Sequence, residues 1–375
     1  MLRPLESAAL STPVTAGWKR DSTHEDPDLY VNVFDRTIDA RWRRTSFTGL
    51  TAIAHDSATA HRGTEPDIAA VDDEVDESEP TITSAGVNDG QEAREANLRD
   101  RPSLFVSIPG GTTFGSFVHA VFEHVDFTAA ELDREVEETT ANVLRRWAVN
   151  IDEPDVLIAG LRAAIETPLG ADLGNIRLAD VGGKNRLDEM DFEYALAGGN
   201  TPTGEFNITA VRSLLDRELS ATDPLRGYLP MLDNPVLDDD VHGFLSGSID
   251  LVLRSYDAQG RERFSVVDYK TNRLGGADLS AWDYRPEGVE AAVFSANYPL
   301  QFLLYNVALH RLLSLKLPGY DPAINLGPVK YLFVRGMFGG DNPVIDGQQC
   351  GVYTWHPPAN VVVALSELIA VGERR

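Results

Sequence analysis

The stretch from Gly243 to Asn272 reads GFLSGSIDLVLRSYDAQGRERFSVVDYKTN. Two runs rich in β-formers flank a D-A-Q-G turn, which specifies an antiparallel hairpin. It constrains the fold because its acids fall where strands are otherwise apolar. Side chains alternate faces along a strand, so Phe264, Val266, Asp268 and Lys270 share one face. In the other run, Asp250 interrupts Ile249, Leu251, Val252 and Leu253. A carboxylate there is costly to bury unless it is paired or bound to a metal ion. Two facing carboxylates suit a hard cation with oxygen ligands, Mg²⁺ above all with Mn²⁺ as a substitute. Such an ion neutralises a phosphate and lowers the pKa of water. A salt bridge between Lys270 and either aspartate is the plainer alternative.

The surrounding pattern is α/β, with a central mixed β-sheet flanked by helices. IPGGTTFGSFVHAVFEHVDF carries apolar residues at helical spacing, with Thr112 and Thr113 as candidate N-caps. A second helical region runs from about 128 to 164. EMDFEYAL reads as a strand, YPLQFLLYNVALHRLLSLKL as a long helix, VKYLFVRGMF and GVYTWHP as late strands, and VVVALSELIAV as a closing helix.

Residues 1–54 read as a polar tail ending in RWRRTSFTGLTAIA, which is expected to dock as a strand and turn. Residues 55–100 read as an acidic flexible linker, and 101–375 as the folded domain. Between His61 and Asp100 there are 12 acids against 3 arginines, a balance of −9. Composition of this kind buries too little apolar surface to offset ordering entropy. The whole chain carries −25, an unusual balance for a protein that handles nucleic acid. A chain this acidic is expected to grip DNA poorly unless another component delivers the strand. The single cysteine, Cys350, excludes internal disulfides, cysteine-ligated zinc and iron–sulfur clusters. No apolar run approaches the ~20 residues of a membrane span and no secretory signal is visible, so a cytoplasmic setting is the expectation.

Four further residues stand out. His119 lies on the first helix, off the centre of its apolar stripe, with Gly115 one turn earlier on the same flank; a surface or capping histidine is the alternative. His124 has no such context. Glu189 sits where Met190, Phe192 and Tyr194 alternate with acids, as a further site acid or as part of a solvated strand face. Gln301 and Tyr305, four apart, share one helix face, either to contact phosphate or the site or as a polar edge on a packed helix.

In this order, GTTFGSFVHAVFE, EMDF, GFLSGSIDLVLR, VVDYKTN, YPLQFLLYNVALHR, YLFVRGM and GVYTWHP resemble the C-terminal nuclease domain of the RecB subunits of bacterial RecBCD exonuclease V. These domains belong to the PD-(D/E)xK superfamily, with its restriction-endonuclease-like core. RTSFTGL resembles the segment preceding the linker in that family. The resemblance implies His119, Asp250 and Asp268 as metal ligands, with the Tyr269 backbone carbonyl completing the set. It implies Lys270 as the catalytic lysine, Glu189 as an accessory acid, and Gln301 and Tyr305 as a Q-x-x-x-Y motif that supports the site or touches DNA. It further implies DNA as substrate, RecC-like and RecD-like partner subunits, and RecA as a further partner. No G-x-x-x-x-G-K-[ST] phosphate loop is present, so the helicase portion of such enzymes would be supplied elsewhere.

The expectation is therefore an Mg²⁺-dependent DNA nuclease, and the alternative is a non-catalytic module that docks on RecC-like or RecA-like partners. The acidic linker adds an expectation of its own, that its charge occupies the DNA channel. Deleting it should then raise the nuclease rate on an oligonucleotide; an unchanged or lower rate argues against restraint.

Overall fold

The structure, a computed structural model, describes residues 42–47, 49, 89–147, 151–204, 206–233 and 241–372. All belong to one contact unit spanning 40–375. The strands are β1 (Trp42–Thr45), β2 (Arg186–Leu196), β3 (His242–Tyr256), β4 (Glu262–Lys270), β5 (Val329–Phe333), β6 (Val344–Ile345), β7 (Gln348–Gln349) and β8 (Val352–Trp355). The helices are α1 (Asp89–Arg99), α2 (Thr112–His124), α3 (Leu132–Leu144), α4 (Pro154–Glu166), α5 (Ile208–Glu218), α6 (Pro286–Ser295), α7 (Tyr298–Lys316), the single turn α8 (Pro322–Asn325) and α9 (Ala359–Val371).

Six strands form one mixed sheet, in the order β1-β3-β4-β5-β8 with β2 also on β3. Two apolar clusters cover its faces. Leu215, Val293, Leu304 and Val361 represent one, with α5, α6, α7 and α9. Phe117, Val121, Val136 and Leu161 represent the other, with α2, α3 and α4. This is the expected fold class, a central mixed sheet between helical layers.

Strand β3 organises the sheet. One of its edges pairs antiparallel with β2 from Gly243 to Leu253. The other edge is shared. β1 takes His242–Leu245 in parallel and β4 takes Leu251–Tyr256 antiparallel. Ser246–Asp250 are left on that edge with no strand beside them among the described residues. Past Val267, β4 runs on beside β5 as far as Lys270, parallel to it. The predicted hairpin therefore forms and then forks, and Asp250 and Asp268 stand at the fork.

The expected linker 55–100 ends early. Asp89–Arg99 is helical, and Leu98 is buried beside Ala281, Ile345 and Cys350. Mean composition over the acidic stretch hides this short helix. A deletion that tests the acidic segment must stop before Asp89, and 55–88 lie outside the described residues. Of RWRRTSFTGLTAIA, expected to dock as a strand and turn, Trp42–Thr45 form β1, so the sheet reaches upstream of 101; residues 41, 48 and 50–54 lie outside the described residues. The helical region 128–164 is two helices, α3 and α4. The N-cap of α2 is Gly111 at φ 113°, with no side-chain cap from either threonine.

Two arginines, one buried and one half-buried, hold α2 at its ends. Arg335, fully buried, donates to the carbonyls of Phe105 (3.1 Å), Ile108 (2.8 Å) and Pro109 (2.8 Å) before the helix, and of Thr271 (2.6 Å) just after β4. Arg186 donates to the carbonyls of Val125 (3.1 Å) and Glu123 (3.2 Å) at the other end, and pairs with Asp188 at 2.8 Å. A lysine at 335 cannot reproduce a planar fork of donors, and orphaned buried carbonyls are costly. Arg335→Lys should therefore destabilise the chain by about 3 kcal/mol, read as a lower urea midpoint at unchanged m-value. A midpoint within error of wild type would show that the carbonyls find other partners.

Candidate functional site

The fork gathers the acids. The β2–β3 register places Glu189 directly opposite Asp250, although that pair is missing from an otherwise continuous ladder. Glu189 adopts φ 46°, a left-handed conformation rare for a non-glycine strand residue. Burial shows the effect on β3. Leu245 and Ile249 pack on the α7 side, whereas Leu251 and Leu253, in the same odd-numbered series, pack on the α2 side. Alternation inverts at Asp250, as at a bulge that re-aims side chains. Asp250 Oδ2 accepts the backbone N–H of Tyr269 at 2.7 Å, in place of the next strand-to-strand bond.

His119 reaches this point from α2. Its Nε2–H donates to the Tyr269 carbonyl (2.9 Å), and Nδ1 lies 3.5 Å from Asp250 Oδ2. Arg186 and Arg335 fix the helix, so the ring is placed by backbone anchoring at both ends. One donor atom each from His119, Glu189 and Asp250 lie within 4.8 Å of one another. Ser248 Oγ donates to Glu189 Oε2 at 3.0 Å.

Asp268 and Lys270 form a second, drier group on β4. Asp268 Oδ2 lies 2.8 Å from Lys270 Nζ and, among the described residues, makes no hydrogen bond beyond that ion pair. Lys270 Nζ also donates to Gln301 Oε1 at 3.3 Å and sits 4.1 Å from the centroid of the Tyr298 ring. Tyr331 donates its hydroxyl to the same Gln301 oxygen at 2.7 Å, and Gln301 Nε2 donates to Tyr305 Oη at 3.1 Å. Gln301 and Tyr305 are 1% and 6% exposed. They are therefore placed behind the lysine, away from the surface.

Electrostatics follow from this crowding. Burial, then the Asp250 charge, pushes Glu189 up to about 7, against the Ser248 hydrogen bond. The same two causes raise Asp268. Burial also disfavours the Asp250 charge, but His119, Lys270 and the Tyr269 N–H outweigh it and lower that pKa. Like-charged side chains directly opposite on a sheet are destabilising, and a divalent cation removes the conflict. The donors fit one: carboxylate oxygens with one imidazole, an oxygen-dominated set that suits Mg²⁺ or Mn²⁺. With Nε2 protonated, neutral His119 turns the Nδ1 lone pair toward a carboxylate, so a proton or a cation must lie between them.

Of the residues singled out in the sequence, the structure brings His119, Glu189 and Asp250 together, with the Tyr269 carbonyl on His119. Asp268 joins Lys270 and Gln301, and Tyr305 stands behind them. His124 lies apart, 3.5 Å from Glu123. The sequence did not single out Ser248, Tyr298, Tyr331, Arg186 or Arg335. Ser248 alone had a signal, a small hydroxyl two residues before Asp250 on the same strand.

Residues 93–345 match the PD-(D/E)XK nuclease superfamily, and the chain belongs to it: this is a nuclease fold. Curated relatives refine the branch. The chain is 41% identical over 346 residues to RecBCD enzyme subunit RecB of Mycolicibacterium smegmatis, covering 91% of this chain and 30% of that protein. It is 38% identical over 352 residues to the RecB subunit of Mycobacterium tuberculosis, covering 92% and 30%. With that of Escherichia coli it shares 29% over 386 residues, covering 98% and 28%. The chain thus spans under a third of the length of these relatives. No described helix is long and apolar enough to cross a membrane.

A pH prediction follows from the raised carboxyls. A folded pKa above the unfolded value stabilises the protein while the group is protonated, and that contribution is lost as pH rises through the folded pKa. Glu189 and Asp268 should therefore cost the metal-free chain stability between about pH 5 and 8. Asp250 is shifted the other way and matters only below its ordinary range. Metal needs the carboxylates deprotonated. The rise in melting temperature on adding Mn²⁺ over EDTA should be larger at pH 8 than at pH 5.5. Glu189→Gln should blunt the difference. A shift independent of pH would count against metal at these acids.

Proposed function

We propose that this chain is a divalent-metal-dependent deoxyribonuclease, Mg²⁺ being the ion, and that it is the nuclease portion of a RecBCD-type complex for degrading and repairing broken DNA. The observation that carries the reading is the meeting of His119, Glu189 and Asp250 with the Asp268–Lys270 pair at one sheet fork. His119, Asp250 and Asp268 would hold the ion, with the Tyr269 carbonyl released from His119 to complete the set and Glu189 as accessory acid. When bound, the ion neutralises the scissile phosphate and makes water a better nucleophile.

Lys270 directs that water and faces the negative charge that builds on the phosphoryl oxygens. Water attacks phosphorus in line as the bond to the 3′ oxygen breaks. Gln301 holds Lys270 from behind, with Tyr331 and Tyr305 fixing the amide. Their burial argues for support over DNA contact. Glu189, kept in a strained conformation, is hard to reconcile with a module that only docks, because strain persists where surrounding structure enforces it for a purpose.

The relatives are named as RecB subunits of RecBCD enzymes. By that likeness, a helicase portion, RecC-like and RecD-like subunits and RecA would be the partners, and they would deliver DNA to an acidic chain.

Asp268→Ala and Lys270→Ala should each lower Mg²⁺-dependent cleavage of single-stranded oligonucleotide on the order of 10²–10³-fold, with circular dichroism unchanged. Gln301→Ala should cost roughly tenfold in kcat while Mn²⁺ affinity by calorimetry stays at the wild-type value. Retained cutting by Lys270→Ala would sink the assignment. Failure of wild type to bind Mn²⁺ would favour a docking module.

A further inference from the structure

Strand β1 lies about 200 residues upstream of the strand it joins. A four-residue strand has little stability of its own, so its docking must be specified by fitted contacts, and several are present. Gly243 has φ 121°, and a Cβ there would lie 2.1 Å from the Arg43 carbonyl oxygen. Only glycine lets the β1 backbone approach so closely. Phe47 is buried in the cluster that also holds Leu245, Leu304 and Tyr305. Trp42 Nε1 donates to Asn200 Oδ1 at 2.9 Å, and its ring meets Phe244 edge-on at 6.5 Å. Arg44 pairs with Glu193.

The position matters more than the strength. β1 ends where the open edge of β3 begins. Ser46 and Phe47 line a cavity of about 70 Å³ with Ser246, Ser248, Phe192 and Tyr305. Two of those wall residues hold site groups. Ser248 donates to Glu189, and Tyr305 accepts from the Gln301 amide that holds Lys270.

We propose that Trp42–Phe47 is a positioning element of the nuclease site. Its Ser46 and Phe47 stand at the start of the open edge of β3, against the cavity walls Ser248 and Tyr305, and thereby fix the Ser248–Glu189 and Tyr305–Gln301–Lys270 supports. The working unit then includes a segment upstream of the residues that match the family. This rests on Glu189 and Lys270 acting as proposed above.

The test uses the full chain with Phe47→Asp, Gly243→Ala, their double variant and Phe47→Leu. Two quantities are read at a temperature where each is folded by circular dichroism. One is Mn²⁺ affinity by calorimetry, and the other is kcat and KM on a single-stranded oligonucleotide with Mg²⁺. Each of the first two should weaken Mn²⁺ binding and lower kcat by about tenfold, with KM for DNA unchanged. The double should be no worse than either single, because both undock one strand, and Phe47→Leu should stay near wild type. A lower melting temperature with wild-type Mn²⁺ affinity and kcat would reduce β1 to packing and overturn the proposal, as would additive losses. Should the variants not fold, an Arg44→Cys/Phe244→Cys pair in the otherwise native chain reads docking directly. The register makes these positions direct partners, within reach of a disulfide. Absence of the cross-link on oxidation overturns the proposal. If wild type binds Mn²⁺ without cutting DNA, the proposed function fails, while the Mn²⁺ shift and the cross-link still decide the role of β1.

Discussion

Three carboxylates packed into the fork of a sheet set the terms for the rest of this fold. Glu189, Asp250 and Asp268 come from three strands and repel one another in a poorly solvated place. A regular sheet would put them in ladder positions with no room for a counter-charge. The chain departs from regularity at each one. Glu189 turns left-handed, β3 inverts its alternation at Asp250, and β4 leaves β3 just before Asp268. Each departure breaks sheet bonding, and the losses are partly replaced locally, as when Asp250 takes the Tyr269 N–H.

A site at a break in a sheet cannot be held by the sheet alone. The helix carrying His119 is tied down by Arg335 and Arg186, which accept no bonds and satisfy carbonyls that helix ends and loops leave over. Lys270 is held by a different device, an amide fixed by two tyrosine hydroxyls and two aromatic faces. Both supports come from segments far away in sequence, so the geometry depends on the whole domain.

This division explains what the sequence revealed. Asp250, Asp268 and Lys270 are legible because period-two alternation and an apolar run make an acid conspicuous, and the sheet with its two helical layers follows from the same patterning. His119 sits on the flank of its stripe, where spacing says little, and only the family resemblance picks it out. The left-handed turn at Glu189 leaves no mark, since neighbouring Met190 and Phe192 read as ordinary strand. Gln301 and Tyr305 lie on α7, buried nearly all round, so their face could not be told from the others. The pairing of β1 is parallel and distant, and local patterns carry no record of such contacts. Helix α1 vanished into the average composition of the acidic stretch around it.

The same acids that define the site also shape how a polyanion would enter it. Without a cation, the fork and a chain at −25 both repel phosphate. Adding a divalent ion reverses the sign only locally, because the ion's field is screened within about a Debye length, ~8–10 Å. Long-range attraction would still be missing, and a nucleic acid would have to be carried to within that range by something other than this chain's own field. A site of this kind is strong in local chemistry and weak in long-range capture, and its reach is set by the ion at the fork and not by the charge of the chain around it.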